Sequence, residues 1–200
     1  MSATSSGTVD PAEVAKFEAM AAEWWDPQGK FKPLHMMNPI RLGYITTQIA
    51  TEFGRDLKAP RPFEGLRLLD IGCGWGFLLI EAAKKYKVHG TGITLSHEQY
   101  AEFQRRIKDQ GLEDYLTVEL MDYRDLPKKE YQFDRVVSVG MLEHVGRDNY
   151  QLFLDCVEKV LKPGGLFLLH FISALKEHPG DPWVKKYIFP GGTVPSLREI

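Results

Sequence analysis

The chain has 200 residues, 44% of them hydrophobic and 12% aromatic, enough for one ordinary globular core. Its 25 Lys and Arg against 27 Asp and Glu give a net charge of -2 without a long run of either sign, which argues against nucleic acid as a partner. Cys73 and Cys156 lack paired spacing, so neither a disulfide framework nor a metal site is expected, and with no cleavable leader and no apolar run near the roughly 20 residues of a membrane span, the chain reads as cytoplasmic.

The first nine residues are rich in Ser, Thr and Gly and are expected to be disordered. Asp10-Pro11-Ala12-Glu13 then supplies an N-cap, a proline at the first helical position and a capping-box acid. Val14, Phe17, Ala21 and Trp24 recur at helical spacing, and Pro27-Gln28-Gly29 ends that helix. A second helix is predicted after Asn38-Pro39, with Leu42, Ile45, Ile49 and Phe53 on one side and Gly54 just past its end. Residues 55–64, with Pro60 and Pro62, read as a linker. Residues 1–60 thus form an N-terminal helical cap and residues 61–200 the main domain.

From Leu66 onward strand-like and helix-like segments alternate, the mark of an α/β fold with a parallel sheet and flanking helices. Strands are predicted at 66–71, 88–94, 115–120, 134–139 and 166–172, and helices at 76–87, 97–110 and 148–161. Lys162-Pro163-Gly164-Gly165 should break the last helix before the buried run Leu166-Phe167-Leu168-Leu169. Beyond Ser173 the composition turns loop-like.

The first strand, Leu66 to Ile71, runs straight into Gly72-x-Gly74-x-Gly76 and an amphipathic stretch. In that context glycines let the backbone come close to a ligand. A dinucleotide fingerprint has the spacing G-x-G-x-x-G with an acid about 20 residues further on. Here the spacing is G-x-G-x-G, and the second strand ends at Ile93-Thr94. A carboxylate at Asp70 would repel a pyrophosphate yet suits a cationic amino-acid end. A sulfonium nucleoside, S-adenosylmethionine, is therefore the expected cofactor, seated over the turn from Asp70 to Gly76.

Six stretches carry a resemblance to cyclopropane-fatty-acyl-phospholipid synthases from about Leu68 to Ile200: LDIGCGWG (69–76), GTGITLSHEQ (90–99), DYRDL (122–126), FDRVVSVGMLEHVG (133–146), LKPGGLFLLHFI (161–172) and DPWVKKYIFPGG (181–192). The stretch KFEAMAAEWWDPQGKFKPLHMMNPIRLGYI (16–45) is similar instead to ubiquinone-biosynthesis O-methyltransferases. Both families share LLDIGCG, so the chain looks like a composite joined near residues 66–74. The resemblance implies a Rossmann-like class I S-adenosylmethionine-dependent methyltransferase. In that fold the usual last two strands of the sheet would follow Ile200.

Carried over by position, the resemblance puts Gly72 and Gly74 with Asp70 beside the methionine part of the cofactor. Thr94, Leu95 and Gln99 fall near its ribose, Asp122 and Tyr123 flank its adenine, and Arg41 meets its carboxylate. In the synthases a bicarbonate ion serves as base, which implies a site of Glu143, His170 and the backbone of Ile172. The family's bicarbonate-binding cysteine and tyrosine have no counterparts here. His144 reads as structural, and Cys73 and Cys156 as packing residues.

The leading functional expectation is methylation of an unsaturated phospholipid acyl chain, closing a cyclopropane. An aromatic and basic stretch from Asp181 to Phe189 suits peripheral contact with the inner face of an anionic membrane. O-methylation of a catechol-like quinone precursor is the alternative, and a hybrid domain that binds the cofactor without turnover is the third reading.

Overall fold

A computed structural model of the chain describes Asp26, Gln28, Gly29, residues 32–187, Phe189 and residues 192–200. The first predicted helix, with Val14, Phe17, Ala21 and Trp24, lies outside the described residues. Helix α1 (Lys32–Glu52) is the second predicted helix, and it begins before Pro39 rather than after it. An internal proline forfeits one helix hydrogen bond and crowds the preceding turn. Contacts on both sides of it hold this helix together: His35 meets the Phe77 ring edge-on at 5.2 Å, and Leu42, Ile45 and Ile49 are buried against the sheet. Past its end Gly54 takes the left-handed conformation expected of it.

Five strands follow: β1 (Arg67–Ile71), β2 (His89–Thr94), β3 (Leu116–Leu120), β4 (Phe133–Val139) and β5 (Leu161–His170). All pair in parallel in the order β3-β2-β1-β4-β5. The first four lie within a residue of their predicted bounds. β5 does not, since it starts five residues early and stops at His170 rather than at Ile172. Its ladder opens with Phe133↔Leu161, breaks, and resumes at Arg135↔Leu166. Lys162-Pro163-Gly164-Gly165 is thus an irregular insertion inside a strand, tied down where Lys162 Nζ donates to Asp134 at 2.9 Å.

Helices α2 (Phe77–Tyr86), α3 (His97–Asp109) and α5 (Tyr150–Val160) connect the strands, with the one-turn α4 (Leu142–Val145) after β4. Alternate residues of the strands feed two cores, as the period of two demands. Leu68 and Val137 pack with Leu42, Ile49, Leu79 and Phe103 on one face, while Leu69, Ile71 and Val136 pack with Phe153 and Val157 on the other. Cys156 is buried in the α5 face, as read from its spacing. A short helix, α6 (Pro182–Tyr187), interrupts the stretch expected to be loop. Among the described residues no helix is long and apolar enough to cross a membrane.

The sheet order reverses between β1 and its neighbours β2 and β4, which opens a crevice at the strands' C-terminal ends. Described residues beyond Ser173 fold back toward that end: Ala174 N donates to Pro195 O at 2.8 Å, and Thr193 N to the Glu143 carbonyl at 2.9 Å.

Candidate functional site

The glycine turn is built by its ties to the neighbouring strands. Gly72 N and Cys73 N both donate to Ile93 O, at 3.1 and 3.0 Å, and Ser138 Oγ donates to Ile71 O at 3.1 Å. Gly72, Gly74 and Gly76 all have positive φ, a conformation that costs other residues roughly 1–2 kcal/mol. Their surroundings differ. A Cβ on Gly76 would collide with the Phe103 ring, so that glycine serves packing, whereas one on Gly74 would meet nothing within 4 Å. The backbone at Gly74 therefore borders open space, as a ligand-facing turn must.

Asp70, at the end of β1, is 3% exposed, and desolvation pushes its carboxyl up to about 7. The Cys73 thiol next to it is raised as well, first by burial and then by the Asp70 charge, so Cys73 is an inert packing residue. A buried carboxylate with no basic side chain compensating it is the expected partner of a cationic group. One strand over, Thr94 is buried; its hydroxyl donates to Gln99 Oε1 at 2.7 Å and accepts from Ser96 N at 3.2 Å. Leu95 stands exposed at the rim.

After β3, Asp122 starts a 3-10 turn (Tyr123–Lys128). Burial works against its charge, but the Arg124 side chain, at 2.5 and 3.0 Å, and the Arg124 N–H, at 2.9 Å, outweigh it and lower its pKa. Tyr123 packs edge-on against Phe153 at 5.3 Å.

Glu143, in α4 just after β4, and His170, the last residue of β5, lie at the same end of the sheet, where the last pair is Val139↔His170. Glu143 is 1% exposed; its Oε1 accepts the Ile172 N–H at 2.7 Å, and its Oε2 is buried without a partner. His170 Nδ1 is likewise buried and unpartnered. Burial first, and then the Arg41 charge, lowers the His170 pKa, so the imidazole is neutral at pH 7 and able to take a proton. Arg41 is half-buried on α1, with one contact to Asn38 Oδ1 at 3.2 Å and its Nε unpartnered. Helix α1 thus brings Arg41 within electrostatic reach of the β5 end.

The three residues expected to hold bicarbonate do not fit that role together here. The Ile172 N–H that should point at the anion is taken by Glu143, and Glu143 Oε2 would present negative charge to it. At the end of the aromatic stretch, Phe189 packs edge-on against His144 at 5.1 Å. Conversely, the hydroxyls of Tyr150, Thr193 and Ser196 are buried, Thr193 being tied to the Glu143 carbonyl through its N–H and Ser196 to Glu199, and none of the three was a sequence candidate. Tyr150 reads as one more apolar position of a helix, and Thr193 and Ser196 fall in a stretch that reads as loop.

A family model for mycolic acid cyclopropane synthetase matches residues 57–200. The chain belongs to that family. Solved structures agree: a cyclopropane synthase from Mycobacterium tuberculosis is 31% identical, with a TM-score of 0.61, over 77% of this chain and 56% of the other. A mycolic acid cyclopropane synthase complexed with S-adenosylhomocysteine and CTAB is 30% identical, with a TM-score of 0.60 and the same coverage. This member of the family therefore spans just over half the length of those two structures.

Ubiquinone biosynthesis O-methyltransferase of Cereibacter sphaeroides is 45% identical over 202 residues, covering 94% of this chain and 76% of its own length. That of Ruegeria pomeroyi is 49% identical over 171 residues, covering 83% and 65%. Both resemblances read from the sequence are thus real. They overlap rather than meet at residues 66–74, because the O-methyltransferase match runs through that point. Fold and relatives together make this a class I S-adenosylmethionine-dependent methyltransferase.

Proposed function

We propose that the chain methylates an unsaturated phospholipid acyl chain. The observation that supports this best is the match of residues 57–200 to the mycolic acid cyclopropane synthetase family, with a buried Glu143 and a neutral His170 at the C-terminal end of the sheet to take a proton. S-adenosylmethionine supplies an electrophilic methyl group on a sulfonium centre. Gly74 would leave room for it, and Asp70 would hold its ammonium, Arg41 its carboxylate, and Thr94 with Gln99 its ribose. The crevice would hold the alkene against the methyl group, and such positioning dominates the first step. Attack of the alkene π pair on that methyl group would form the new C–C bond, release the neutral thioether and leave a cation on the chain. The cation left on the chain then gives up a proton of the added methyl to Glu143 or His170, and the C–H pair closes the three-membered ring. Burial matters here, because water would trap the cation.

Exposed Trp183, Lys185 and Lys186 on α6 support peripheral contact with an anionic membrane. A second reading, O-methylation of a polyprenylated catechol, is supported by the 45% identity to the quinone enzymes. Labelled cofactor offered to vesicles of unsaturated phospholipid and, separately, to such a catechol tests both. Label in a saturated, ring-bearing acyl chain is expected. Label only in a methyl ether would replace the first reading with the second, and label in neither would leave a domain that binds cofactor without turnover.

A further inference from the structure

Glu143 is held from two directions. Its Oε1 accepts the Ile172 N–H at 2.7 Å from just past β5, and its main-chain carbonyl accepts the Thr193 N–H at 2.9 Å from the C-terminal stretch. The residue before Thr193, Gly192, is buried flat against the same carbonyl. A Cβ built on it would stand 1.9 Å from the Glu143 oxygen and 3.0 Å from the carbonyl carbon, where ordinary contact begins at 3.4 Å. Packed backbone, unlike the tip of a long side chain, cannot swing aside. The C-terminal stretch cannot simply lift away either. Downstream it is pinned where Ala174 N donates to Pro195 O at 2.8 Å and where Glu199 pairs with Arg147. Upstream, Gly192 N donates to Phe189 O at 2.9 Å, and the Phe189 ring meets His144 edge-on. A push at residue 192 is therefore delivered to α4. That turn is seated in its own right on the glycine turn, because Met141, which precedes α4, lies so close that a Cβ on Gly72 would meet its Cγ at 2.8 Å.

We propose that Gly192 is a positioning residue for Glu143: by lacking a side chain it lets the C-terminal stretch close onto the Glu143 carbonyl and fixes where the carboxylate stands relative to the glycine turn. This rests on the reading that Glu143 takes a proton at the reacting centre. A methyl group in that space displaces α4 and stretches the bond from Ile172 N–H to Oε1. The carboxylate is then misplaced by about 1 Å, and a displacement of that size costs up to about 100-fold in rate.

The test compares the full chain with Gly192→Ala and with Leu197→Ala, an exposed side chain of the same stretch. Circular dichroism and S-adenosylhomocysteine binding show that each variant is folded. Should Gly192→Ala not fold, Phe189→Leu, which loosens the stretch from His144 without a clash, takes its place with the same expectations. The first readout needs no turnover: the amide proton shift of Ile172, which donates to a charged acceptor in the parent. It should move upfield in Gly192→Ala, in the direction that Glu143→Gln moves it, and stay in place in Leu197→Ala. The second is turnover on unsaturated phospholipid and on a catechol. On the acceptor that the parent methylates, Gly192→Ala should lower kcat about 10- to 100-fold at unchanged KM. In a Glu143→Gln background the same substitution should cost almost nothing further, whereas a glycine that only supports the fold costs the same in both backgrounds. An unmoved Ile172 amide in folded Gly192→Ala, an equal shift in Leu197→Ala, or equal losses in the two backgrounds overturns the proposal. A parent that methylates neither acceptor, while its Ile172 amide still follows residue 192, overturns the functional reading and leaves the hold of Gly192 on Glu143 standing.

Discussion

Replacing Asp70 by Asn removes a charge that the folded chain holds with nothing to offset it. Its carboxyl has an ordinary value of 3.8 and stands at about 7 in the fold, the cause being desolvation. A difference of about 3 pH units corresponds to ~4 kcal/mol as an upper bound. The sign follows from the direction of the shift. A carboxyl raised on folding contributes stability that is fully present below its unfolded value and is lost as pH rises through the folded one. The cofactor-free parent should therefore weaken between pH 4 and pH 7, while Asp70→Asn keeps its stability across that window. Urea unfolding at pH 5 and pH 8 reads the difference. Binding of S-adenosylhomocysteine supplies the missing ammonium, so near pH 6 the parent should release a proton on binding, seen as a calorimetric heat that depends on the buffer. The Asn variant should release none and bind roughly 10- to 100-fold more weakly, as for a lost charged hydrogen bond. Parallel unfolding curves for the two proteins at both pH values would refute the reasoning.

Gly74→Val should fold with a penalty of about 1–2 kcal/mol from its φ of 54° and lose S-adenosylhomocysteine binding in calorimetry; unchanged affinity would take Gly74 out of the site. Arg41→Ala should weaken the same ligand about tenfold, whereas equal affinity would make α1 only a cap over the sheet. Glu143→Gln keeps the oxygen that Ile172 N–H needs, so it should stay folded and bind cofactor normally while turnover drops by about 100-fold or more, the usual worth of a general base. Retained turnover would place the base elsewhere.

The parts of the fold legible in the sequence are those set by local pattern. Leu42, Ile45 and Ile49 lie on one buried helix face, as their spacing requires, and the glycine turn stands where a strand runs into an amphipathic helix. Pro39 and the Lys162 to Gly165 stretch misled because their local preference was overridden by distant partners. Phe77 steadies the first turn of α1, and Asp134 pins Lys162 inside a strand. The site shows the same division. Asp70 and Gly74 are readable from their neighbours, but the bond from Ile172 N–H to Glu143 joins residues 29 apart. Thr193 and Ser196 enter only because the C-terminal stretch folds back onto α4, a long-range event that leaves no periodic trace.

The two acceptors ask for a base at opposite moments, and this decides which side chains can tell them apart. A catechol gives up its proton as its oxygen attacks, whereas an alkene loses one only after the methyl has been added. If Glu143 and His170 supply the base, substituting them should damage both reactions alike. What differs is the rest of the acceptor. An alkyl chain needs only apolar surface, but a catechol brings a second hydroxyl that must find a partner once it leaves water. The buried hydroxyls of Thr193, whose N–H is tied to the Glu143 carbonyl, and of Ser196, three residues on, are the candidates to supply one. The double variant Thr193→Val, Ser196→Ala leaves the backbone bonds of that stretch intact, since these come from N–H and carbonyl groups. It should lower catechol methylation by about 10- to 100-fold, the worth of one or two buried hydrogen bonds, and leave acyl-chain methylation within about a factor of three. Side-by-side initial rates on the two acceptors, with S-adenosylhomocysteine affinity as the folding control, measure this. Equal losses on both acceptors would put the hydroxyls in the shared proton-transfer machinery and remove them as a basis for choosing between lipid and quinone precursor.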